Sequence, residues 1–126
     1  MDGSYFTRQL ASNAGRFKVM VQGVSEDQAR WKPNAETWST LEIVNHLYDN
    51  GCEEFRDRLG NIWHHPEKAW APIDPEGRVT ERQYGGREVT ASRQSFLFER
   101  NGALKRLEAP RVRRTGKPCI RQNTAI

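Results

Sequence analysis

The sequence predicts an all-α helical bundle. Three observations carry that reading. Apolar residues return every three or four positions in three long stretches, two capping-box signatures open helices, and no stretch alternates apolar and polar residues as a strand would. At 126 residues the chain is one domain that can bury a modest core.

The first helix is expected from about Tyr5 to Val24, where Phe6, Leu10, Ala14, Phe17, Met20, Val21 and Val24 share one face. Ser25 then opens Ser-Glu-Asp-Gln, a capping box completed by Gln28, and predicts a short helix to about Trp31. Pro33 ends it, because the residue before a proline disfavours helical angles. Ser39-Thr40-Leu41-Glu42 is a second capping box and starts a helix that runs to Gly60 or a turn beyond. Its stripe is Leu41, Val44, Tyr48, Cys52, Phe55, Leu59 and Ile62, widened by Ile43 and Leu47. Residues 61–88 read as irregular, packed down by Trp63, Trp70 and Tyr84. Trp31 and Trp38 read as clamps for the connection between the first two long helices. Thr90 is the expected N-cap of a third long helix reaching 108, with Phe96, Leu97, Ala103, Leu104 and Leu107 on its apolar side. Residues 1–108 thus form the bundle, and 109–126 form a basic tail without helical or alternating period.

Composition closes several function classes. No apolar run approaches the ~18 residues of a membrane span, and the N-terminus has no secretory apolar core. Cys52 and Cys119 are too few for a disulfide framework, so reduced thiols and a cytoplasmic location are expected. The net charge is +4, but residues 107–126 hold five basic side chains against Glu108 alone. Removing them from the chain's 20 basic and 16 acidic residues leaves 15 of each. A neutral body gives no electrostatic reason to expect nucleic acid.

Few residues offer chemistry. Read from periodicity, His46 lies on the edge of the second long helix with Asn50 one turn on, either as a metal ligand or as a solvent-facing or hydrogen-bonded histidine. His64 and His65 are adjacent and point apart, which suits a solvated pair. Cys52 falls on the apolar stripe and reads as a small core residue. Gly-rich phosphate loops, Cys-x-x-Cys, His-Glu-x-x-His and Gly-x-Ser-x-Gly are all missing.

Four segments together resemble a known family: G-V-S-E-D-Q-A-R-W-K-P (23–33), T-W-S-T-L-E-I-V-N-H-L (37–47), P-E-K-A-W-A-P-I-D (66–74) and V-T-E-R-Q-Y (79–84). They resemble the DinB-like (DinB/YfiT) superfamily of four-helix-bundle proteins over about residues 1–108. The resemblance implies an up-down-down-up bundle holding a divalent metal, nickel or zinc, with one histidine from the second helix and a His-x-x-x-His pair from the fourth. His46 matches the second-helix ligand, which implies that it points inward. The implied activity is that of a metal-dependent hydrolase or thiol S-transferase acting with a low-molecular-weight thiol such as bacillithiol or mycothiol. In such a site the metal would hold the thiol as thiolate at neutral pH.

The sequence departs from that pattern at its end. No histidine follows His65, so the His-x-x-x-His pair and the fourth helix are missing, as in a truncated, frame-shifted or divergent member. The expectation is therefore a DinB-like protein with impaired transferase chemistry. Its alternative is a non-catalytic helical module that forms homo-oligomers to cover its open apolar faces.

Overall fold

The computed structural model describes residues 3–108, which are helical throughout their ordered elements and contain no strand. The expectations for 109–126, Cys119 among them, lie outside the described residues. Helix α1 spans Gly3–Gln22, α2 Glu26–Arg30 and α3 Thr40–Asp49. A π-helical segment, Asn50–Arg56, leads without a break into α4, Asp57–His64. Then come α5, Pro75–Glu81, a 3-10 turn, Tyr84–Gly86, and α6, Val89–Glu108.

Both capping boxes form. The Ser25 hydroxyl accepts from the Gln28 backbone N–H at 3.2 Å, and the Gln28 side chain accepts from the Ser25 N–H at 3.0 Å. Ser39 and Glu42 repeat the exchange at 3.2 and 2.8 Å, here buried. Thr90 is not the cap of α6. The Glu88 carboxylate takes that place, accepting from the backbone N–H groups of Thr90 at 2.8 Å and Ala91 at 2.6 Å. A carboxylate at a helix start also meets the positive end of the helix dipole.

The core has two parts. Val21, Val44 and Phe96 form the first, with Phe17, Leu47, Tyr48 and Leu97 around them. Ala29, Leu41 and Val89 form the second, with Val24 against them. Leu41 is 1% exposed, a burial worth about 2 kcal/mol. Phe17 packs on Phe96 with ring centroids 4.1 Å apart, and Arg93 donates to the carbonyls of Val21 at 2.7 Å and Gln22 at 3.0 Å. The residue numbers rise in opposite senses, so α1 is antiparallel to α6. Asn45 donates to Ser92 at 3.0 Å and Arg56 to Glu99 at 2.7 Å, so the α3–π–α4 rod runs parallel to α6.

Two expectations change. Residues 61–88 are not uniformly irregular. Asp74 accepts from the Gly77 N–H at 2.9 Å and Pro75 occupies the first turn of α5, where its missing N–H costs nothing. Of the aromatics expected to pack this segment down, Tyr84 is fully buried, whereas Trp63 and Trp70 stay exposed, Trp70 under the Arg58 guanidinium at 4.8 Å from its ring centroid; Trp31 is exposed as well. The ion pairs of Arg78 and Arg82 and the hydrogen bond of the buried Tyr84 also fasten it to the rod. The lower half of the expected stripe also fails to bury: Leu41, Val44 and Cys52 are buried, whereas Phe55, Leu59 and Ile62 are exposed. Cys52 is a core residue as expected, but its sulfur is disulfide-bonded rather than a reduced thiol. Among the described residues no helix is long and apolar enough to cross a membrane.

Candidate functional site

His46 lies in the middle of α3, half-buried, one turn beyond the Ser39–Glu42 box. Trp38, placed just before that box, turns its indole to the imidazole, edge to face, with centroids 4.9 Å apart. Asn50, one turn on, brings its amide nitrogen to 3.0 Å from His46 Nε2. The Asn50 amide oxygen is buried and makes no hydrogen bond. On the same turn, Glu42 is 3.2 Å from the Lys32 ammonium while it caps α3. His46 is thus the hydrogen-bonded histidine of its sequence alternatives, turned partly inward.

The donor set around it does not suit nickel or zinc. Such an ion takes three or four nitrogen, sulfur or carboxylate donors. Among the described residues no group of three histidine, cysteine, aspartate or glutamate side chains is placed to hold a metal ion. Glu42 is committed to its cap and to Lys32. His64 and His65 are exposed at the far end of α4, where His65 is 3.7 Å from Glu67. At ~1.5 Å per residue they lie more than about 20 Å from His46 along the rod.

The most heavily charged cluster is elsewhere, and the sequence reading missed it. Asp49 and Glu53 lie one turn apart on the rod, and Arg78 and Arg82 one turn apart on and just after α5. Arg82 donates to both Glu53 carboxylate oxygens at 3.0 Å and also to Asp49. Arg78 donates to Glu54 at 3.0 Å. The Tyr84 hydroxyl, on a fully buried ring, donates to Asp49. Burial, then the Asp49 carboxylate, pushes the Tyr84 phenol well above its ordinary value, so it stays a donor. Burial opposes the Arg82 charge, but its bonds to Glu53 and Asp49 outweigh that and hold the guanidinium charged. The matched i, i+4 spacing of two acids and two arginines was the available signal.

Every carboxylate in this cluster meets an arginine, so the cluster fastens residues 75–86 to the rod and leaves no base for chemistry. A third polar layer continues from it: Arg87 donates to Asn45 at 3.0 Å, and Arg30 donates to the carbonyls of Gly85 and, at 2.9 Å, Arg87. Deeper along α6, burial raises the Glu99 carboxyl above its usual range although Arg56 is bonded to it. Comparison with protein-family models, curated proteins and solved structures gives no match for this chain.

Proposed function

We propose that this chain is a DinB-like helical module that self-associates, and that the metal-dependent thiol-transfer chemistry implied by its sequence resemblance is impaired. The observation that carries the reading is the neighbourhood of His46, an amide and an indole instead of further ligands. The up, down, down order of α1, the α3–π–α4 rod and α6 supports the bundle type, and the neutral body supports association without nucleic acid.

The test is metal content and mass in solution. After chelator treatment and incubation with zinc or nickel, the chain is expected to retain less than stoichiometric metal and to transfer no bacillithiol or mycothiol. Sedimentation is expected to give a dimer or larger species at micromolar concentration. Stoichiometric metal abolished by His46→Ala would return the chain to the enzymes.

A further inference from the structure

The chain holds two cysteines, Cys52 and Cys119, and Cys52 is disulfide-bonded. Cys52 is the one cysteine among the described residues, so its partner lies outside them. Within the π-helical segment Cys52 is 5% exposed, and a Cβ on the preceding Gly51 would meet Glu99 Cγ at 3.3 Å. The bonded sulfur therefore belongs to the turn of the rod that packs on α6 at Glu99. From Glu99, α6 carries the chain about 14 Å further in the direction of the rod, to Glu108. With packed helix axes ~10 Å apart, Glu108 stands about 17 Å from Cys52. The stretch from 108 to 119 spans up to about 36 Å when extended.

We infer that Cys52 pairs with Cys119 of the same chain, and that the bond is a redox-dependent tether holding the C-terminal segment back to the π-helical turn of the rod. The reach of that segment is about twice the gap, so the loop closes without distorting α6. Burial argues against a bond to a second copy. A second molecule would have to reach a sulfur that is 5% exposed, whereas a short linker delivers Cys119 at high effective concentration. The bond forms by exchange with a low-molecular-weight disulfide. The Cys119 thiolate, favoured by Lys117 and Arg121 two positions to either side, attacks one sulfur of that reagent, forms a mixed disulfide and expels a first thiolate. The Cys52 thiolate then attacks the Cys119 sulfur, closes the protein bond and expels the second. The reagent takes up two electrons, and the protons of the two cysteine thiols end on the two expelled thiols. The tether needs neither a metal nor self-association.

The experiment maps the bond and then measures what it holds. The full chain, equilibrated with oxidised glutathione, is blocked with iodoacetamide and digested with trypsin without reductant. Mass spectrometry is expected to find the Cys52 peptide, residues 31–56, joined to the Cys119 peptide, residues 115–121, and to lose that pair after dithiothreitol. Thermal unfolding followed by circular dichroism then compares the oxidised wild type with Cys119→Ser, which leaves the core position of Cys52 intact. The bond closes a loop of about 70 residues, so the variant is expected to melt about 10 °C lower. Dithiothreitol should bring the wild type down to the variant and leave the variant where it is. An alkylated Cys119 in the unreduced chain, or a 31–56 peptide joined to a second copy of itself, overturns the pairing. A variant that melts with the oxidised wild type overturns the tether.

Discussion

The two ends of this bundle solve the same problem in opposite ways. At the end built by α2, the start of α3 and the start of α6, each helix opens on a side-chain cap, Ala29, Leu41 and Val89 are buried together, and Arg30, Arg82 and Arg87 tie the intervening loops to the helices. At the other end, α4 and the start of α1 carry aromatic and aliphatic side chains outward. The first end is closed by local chemistry, whereas the second leaves Tyr5, Phe6, Phe55 and Ile62 in solvent. Marginal stability therefore rests unevenly on the two, and the cooperative unit is centred on residues 39–49 and 89–99.

Substitutions at the closed end sharpen the contrast. Leu41→Ala is expected to cost about 3–4 kcal/mol, because a side chain 1% exposed leaves a cavity in the second core cluster. Urea unfolding of the variant measures it, and a loss below about 1 kcal/mol would mean that this end can collapse. Asp49→Asn removes the charge that Arg82 and Tyr84 share and should cost about 2 kcal/mol. Adding 1 M salt should recover little of that, since both partners are shielded from solvent. Ser39→Ala should cost about 1 kcal/mol through the lost cap, read from the same urea midpoints.

Two carboxyls then separate the regions by pH. Backbone N–H groups of Ala91 and Thr90 hold Glu88 below 4.5, so its contribution is present above 4.5 and lost as pH falls through its folded value. Burial raises Glu99 above 4.5, so its contribution is full below 4.5 and lost as pH rises through the raised value. Stability measured against pH in Glu88→Gln and Glu99→Gln should lose these opposite slopes one at a time. The smallest effect is expected at the open end. Ile62→Ser should change monomer stability by less than about 0.5 kcal/mol, and amides of α4 should exchange far faster than those of α3. Equal protection of the two helices would erase the contrast.

Much of the helical order was legible because it is written locally. Ser25, Gln28, Ser39 and Glu42 are read from four-residue windows, and the structure closes both boxes. α5 was equally legible in Asp74-Pro75, a cap followed by a first-turn proline, but the glycines and prolines around it masked the signal. The loop clamp was legible as packing only at Tyr84, since Trp63 and Trp70 advertise burial and stay exposed, while Arg78 and Arg82 do the rest of the fastening. Long-range pairing of charges depends on how α5 lies against the rod, which no window of sequence records. For the site, sequence placed His46 and Asn50 a turn apart, and the structure adds the Trp38 indole beside them.

The π-helical segment has an angular consequence. Each π turn takes one residue more than an α turn, and one residue is about 100° of an α-helix. A stripe spaced for an unbroken α-helix therefore slips in phase as it crosses Asn50–Arg56. Before the segment, Leu41 and Val44 look into the bundle, while by its end Phe55 is exposed and Arg56 takes the inward bearing toward Glu99, and beyond it Ile62 is exposed. One surplus residue in a single turn thus divides a continuous apolar pattern between two destinations, the molecule's own interior and the space beyond it.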